Sequence, residues 1–198
     1  MNKTINIIKI YCLTVLFLQA TTAYSKEAQW EQIRDDGTVR VWKKDVPGES
    51  IMAFKGTQIF NQPISKVLWV LTNKDAEQKK RWIDMIDKFE NVARDEKTNT
   101  SVSYTSFSMP WPVSDRDTIT SSVKRVDSLN KSVTLDIKSI SHPKHPPEKT
   151  VGVRINVIYA RYHLKMIDKE HTEVTIEAQA DPKGMIPKWL VNLINKGW

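Results

Sequence analysis

The sequence predicts an α+β protein in which one curved antiparallel sheet grips one helix. Three observations predict it. From residue 83 onward the apolar residues recur with a period of two, as in Val133-Leu135-Ile137 and Val174-Ile176-Ala178. Short turn-rich segments separate these runs, which suits antiparallel neighbours rather than long crossovers. Met185, Ile186, Trp189, Leu190, Leu193 and Ile194 then take helical spacing behind the turn Asp181-Pro182-Lys183-Gly184. A sheet with one apolar face needs such an element to cover it.

The elements follow in order. Lys3 and Lys9 precede or open an apolar run ending near Leu18, and Ala23-Tyr24-Ser25 closes it with small residues, so residues 1–25 are expected to be a secretory signal and residues 26–198 one domain. Export to the periplasm or the exterior is the expected localisation. Removing that segment takes two lysines and Cys12, bringing the net charge from +7 to +5 and leaving no thiol for a disulfide, nucleophile or zinc ligand. Residues 30–34 fit a short helix or an extended lead-in. Asp36-Gly37 and Pro47-Gly48 are turns around two hairpin strands, Thr38 to Trp42 and Ile51 to Phe60. Pro63 opens a helix whose Ile64, Val67, Leu68 and Leu71 share one face, and a second short helix covers Ala76 to Trp82. Strands are expected at Asp87 to Arg94, Ser101 to Ser108, Thr118 to Val126, Ser132 to Ile140, Val151 to Met166 and Glu173 to Ala180.

Several chemistries are excluded. No glycine-rich dinucleotide or phosphate loop, esterase elbow or zinc-protease helix occurs. The basic residues are scattered, with Lys79-Lys80-Arg81 the densest run, so charged solvated surface is expected and nucleic acid is not a partner. His142 and His145 lie among three prolines that forbid a metal-binding helix, and they read as loop residues. His163 reads as a half-buried strand residue and His171 as a turn residue. Asp84 and Asp87 read as surface. Asp115 and Asp117 flank Arg116, which points to mutual charge neutralisation rather than to acid–base catalysis. No metal and no cofactor are expected.

Two segments are distinctive. Met109-Pro110-Trp111-Pro112-Val113-Ser114-Asp115-Arg116-Asp117 and Asp181-Pro182-Lys183-Gly184-Met185-Ile186-Pro187-Lys188-Trp189-Leu190-Val191-Asn192 together resemble the START family of lipid-transfer domains. Gly37-Thr38-Val39-Arg40-Val41, Phe54-Lys55-Gly56, Trp82, and His142-Pro143 followed by Val153-Arg154 fall in the same order. The resemblance implies a helix-grip fold enclosing a tunnel for one lipid or other hydrophobic small molecule. It also implies a last helix longer than the one ending at Trp198, so a shortened helix is expected.

The apolar alternation and the terminal helix nominate the tunnel lining: Val102, Tyr104 and Phe107; Val133 and Leu135; Val174 and Ile176; Ile186, Trp189, Leu190 and Leu193. Met109, Trp111 and Met185 are the expected gate. The strands beside the Pro-Trp-Pro loop offer Ser101, Ser103, Ser121 and Ser122 rather than the acid–arginine pair of sterol-binding relatives, so a hydroxyl-lined or wholly apolar pocket is expected. Arg154 or Arg161 is the nominee for a phospholipid head group. The expected function is an exported, monomeric lipid-binding or lipid-transfer protein that docks transiently on anionic membrane. A helix-grip enzyme of cyclase or hydrolase type, using His163, Tyr104 or Tyr162, is the alternative, and a non-catalytic interaction module with a filled core is the third reading.

Overall fold

The computed structural model describes residues 29–73, 75–83 and 85–184. The expected signal at residues 1–25 and the helix expected after Gly184 lie outside the described residues. Ten strands form one sheet: β1 (Glu31–Asp35), β2 (Val39–Lys44), β3 (Ala53–Phe60), β4 (Ile86–Asp95), β5 (Thr100–Phe107), β6 (Arg116–Asp127), β7 (Ser132–Ser139), β8 (Val153–Arg154), β9 (Asn156–Met166) and β10 (Thr172–Asp181). Their order is β1-β2-β3-β10-β9-β7-β6-β5-β4, antiparallel throughout, with β8 set parallel against β6. Two helices, α1 (Ile64–Thr72) and α2 (Ala76–Lys80), carry the chain from β3 to the distant edge strand β4. That crossing lays them over one face of the sheet, the inner face.

Helix α1 forms where the spacing predicts it. Pro63 precedes its first residue, and the Pro63 carbonyl accepts from Lys66 and Val67. Ile64, Val67, Leu68 and Leu71 pack onto Val133, Leu164 and Val174, the buried cluster of β7, β9 and β10. Asp75 caps α2 by accepting from the Glu77 amide at 2.9 Å, which satisfies one of the amides a helix start leaves unpaired.

One element settles an alternative the sequence left open, and another differs from the expectation. Residues 31–35 form an edge strand, held by register against β2. The expected strand 151–166 breaks in two: the amides of Val153 and Ile155 donate to the carbonyls of Asp115 and Asp117, so β8 pairs with β6 before the chain turns into β9. Gly152 permits this, because a Cβ there would overlap the backbone of Asp115.

Leu164 is fully buried and Leu129 is 95% exposed at the β6–β7 turn. Leu164→Ala is therefore expected to lower stability by about 2–5 kcal/mol, and Leu129→Ala by less than about 0.5 kcal/mol. Urea denaturation of the two variants checks the assignment of the inner face as core.

Candidate functional site

The inner face is not packed along its whole length. Beyond the α1 cluster, toward β4 and β5, lies a cavity of about 230 Å³, smaller than the roughly 300–1,000 Å³ typical of pockets for drug-sized ligands. Its roof is the end of α1 at Leu71, together with Lys79, Trp82 and Ile83; its edge is Ile86, Phe89, Asn91 and Arg94. Leu135 and Ile137 of β7 and Tyr162 of β9 form an apolar floor. The floor changes character on β5 and β6, where Ser101, Ser103, Thr105, Thr120 and Ser122 line the space.

Lys79 is the unusual member of this wall. It is 6% exposed, its Nζ donates to the Leu71 carbonyl at 3.2 Å, and it stands 4.7 Å from the Phe89 ring centre and 5.6 Å from that of Trp82. Burial pushes its pKa below the ordinary lysine value. Among the described residues no carboxylate pairs with it. Burial likewise pushes the Tyr162 phenol up.

The opposite, outer face of β5 and β6 carries a second buried cluster that is not part of the cavity. Asp117 is fully buried and accepts from Arg154 Nε at 2.5 Å and Nη2 at 3.1 Å, from Thr150 at 3.0 Å and from Tyr104 at 3.1 Å. Burial by itself would raise the Asp117 pKa, but these four donated bonds outweigh it and hold the carboxyl below the ordinary aspartate value. Burial and the neighbouring Asp117 charge push the Tyr104 phenol up to about 12. His145 stacks on Tyr104 with ring centres 4.0 Å apart, and its carbonyl accepts from Arg154 Nη1 at 3.1 Å. The segment 141–155 is thereby fastened across the outside of the sheet.

Of the nominated lining residues, Phe107 and Leu135 stand on the cavity wall. Val133, Val174 and Ile176 share the inner face but pack with α1 as core. Tyr104 and Val102 require correction: β5 alternates, and with Ser101, Ser103 and Thr105 facing the cavity, the even positions face outward under segment 141–155. Ile186, Trp189, Leu190, Leu193 and the gate residue Met185 lie outside the described residues. Met109 and Trp111 sit in the loop between β5 and β6, where Trp111 is 91% exposed and the Met109 amide donates to Asp115 Oδ1 at 2.9 Å.

Three charge assignments also change. Arg116 is buried but pairs with neither flanking aspartate; its guanidinium donates to the carbonyls of Ser114 and Lys183. Arg154 is committed to Asp117, and Arg161 pairs with Asp136 on the outer face, so neither reaches the cavity. His163, bonded to Thr134, also faces outward. Lys79 is what the sequence reading missed, because Lys79-Lys80-Arg81 looks like solvated charge until α2 turns its fourth residue inward. The hydroxyl row was visible as alternation, though in polar residues.

The sequence model of the START domain family matches residues 12–197. Human START domain-containing protein 10 is 33% identical over 118 residues, 60% of this chain and 39% of the relative. The chain thus spans about two-fifths of the length of that curated relative. The crystal structure of human STARD10 matches with a TM-score of 0.71 at 29% identity, covering 84% of this chain and 67% of that one. The StAR-related lipid transfer protein of Xanthomonas axonopodis matches with a TM-score of 0.66 at 24% identity, covering 83% and 88%. The architecture common to these structures is the helix-grip α+β fold.

Removing one partner of a buried ion pair leaves an uncompensated group, so Asp117→Asn is expected to cost about 3–5 kcal/mol at pH 7. Because the folded-state pKa of Asp117 is depressed, its contribution is complete above the ordinary aspartate value of 3.8 and fades as the pH falls through the lower folded value. The stability gap between wild type and variant should therefore be constant from pH 7 to 5 and narrow below pH 3.8. Urea titrations at several pH values measure it.

Proposed function

We propose that this chain, which belongs to the START domain family, is an exported lipid-binding or lipid-transfer protein that holds one hydrophobic ligand and performs no chemistry on it. The observation that carries this reading is the cavity under α1 and α2, with an apolar roof, a floor that is part apolar and part hydroxyl, and the buried cation Lys79. Burying a ligand's apolar surface there contributes about 25 cal/mol per Å². Lys79, with no carboxylate partner among the described residues, suits an electronegative group of the ligand. The titratable groups among the described wall residues are Lys79, Arg94, Lys124 and Tyr162. Of the three residues considered for acid–base chemistry, Tyr104 and His163 face away from the cavity, which weighs against an enzyme.

The volume of about 230 Å³ means that taking up a two-chain lipid requires the walls to move. The loop Met109 to Val113 and the Lys183 turn, with Met185 beyond it, are the gate in this reading. Arg116 bridges the two through the carbonyls of Ser114 and Lys183. Trp111 projects from the loop, and an indole's apolar body and polar edge favour the membrane interface. The positive net charge, +5 once residues 1–25 are removed, favours transient docking on an anionic leaflet. The protein acts as a monomer, exported by residues 1–25.

Native mass spectrometry with lipid extraction, on protein purified from its own compartment, is expected to recover one lipid per chain; an empty protein that also refuses labelled lipids would oppose the proposal. In liposome flotation, wild type is expected to rise with anionic vesicles at low salt and to be released by high salt. Trp111→Ala should reduce flotation several-fold without changing the circular dichroism spectrum.

A further inference from the structure

The sheet builds its inner face in two different ways. On β7, β9 and β10 that face is apolar: Val133, Leu135, Leu164, Val174 and Ile176. On β5 and β6 it is a ladder of hydroxyls, because the register sets Thr105 opposite Thr118, Ser103 opposite Thr120 and Ser101 opposite Ser122. Facing residues of an antiparallel pair share a side, so three hydroxyl pairs succeed one another along about 14 Å of sheet. On β4, Asn91 stands opposite Ser103 and adds an amide to the middle rung.

None of these six hydroxyls makes a side-chain hydrogen bond to another described residue. Five of them line the cavity; the sixth, Thr118, is 8% exposed, and its Oγ1 has no partner among the described residues. A saturated chain laid on this floor would strip water from the hydroxyls and return no hydrogen bond. The adjoining face on β7, β9 and β10 shows that the same sheet supplies apolar residues where contact with carbon is wanted.

Resting on the lipid-binding reading, we infer that the cargo is a polyoxygenated lipid, an amphiphile whose hydroxyl or other oxygen functions are distributed along its buried length. Its carbon face meets Phe89, Ile83 and Trp82, and its oxygens meet the β5–β6 ladder. Specificity then comes from the shaft of the ligand, while Lys79 takes one electronegative end.

The test compares stearic acid with 9,10-dihydroxystearic acid, which share a chain length and a head group. Binding of each to the full chain is measured by competition in native mass spectrometry, for wild type and for the Ser103→Ala/Thr120→Val variant. Wild type is expected to prefer the dihydroxy acid by about ten-fold or more, since each hydrogen bond made is worth about that order. The variant, checked for folding by circular dichroism, should lose the preference and hold stearic acid at least as well. Equal or tighter binding of stearic acid by wild type overturns the inference and leaves the lipid-binding reading standing. Failure of the folded wild type to bind either acid or any labelled lipid removes both.

Discussion

The bonds to the Asp117 carboxylate close the outer face of β5 and β6. A charge buried this completely persists only when it is paired and hydrogen-bonded, and Arg154, Thr150 and Tyr104 supply the donors. Two of the three come from the segment 141–155, which is thereby drawn across the outer face of β5 and β6. With that face sealed by protein, its aromatic positions have partners in their own chain. The inner face of the same strands is left for something else.

The neighbouring residues extend the arrangement. Asp115 accepts from the Met109 amide and so closes the base of the loop that exposes Trp111. Arg116 reaches the carbonyls of Ser114 and Lys183. Three consecutive side chains thus hold three separate segments: the loop 109–113, the turn at 183 and the outer crossover. These segments are tied to one strand end, so a change there alters stability.

Much of the fold was legible because burial imposes a period. Ile64, Val67, Leu68 and Leu71 announced a helix by spacing, and they are the residues that meet Val133, Leu164 and Val174. The alternation of Val133, Leu135 and Ile137 identified an inner face in the same way. The site was less legible because apolarity alone does not say which side a strand presents to a cavity. Val102 and Tyr104 have the composition of a lining, but Phe107 lies on the other parity of the same strand, and only the register with β6 decides between them. Arg154 and Arg161 resembled head-group ligands until their carboxylates were placed opposite them. Lys79 was hidden by the solvated look of its two basic neighbours. The pairing of Val153 with β6 depends on contacts distant in sequence, which no local pattern carries.

The central claim is that cargo lies on the inner face, between the helix pair and the hydroxyl floor. Photo-crosslinking with a diazirine-bearing fatty acid, mapped residue by residue by tandem mass spectrometry, tests it most directly. The account predicts adducts on Phe89, Phe107, Leu135, Ile137 and Tyr162. Adducts concentrated on Tyr104, His145 or Arg154 would contradict it, because those residues line the sealed outer face.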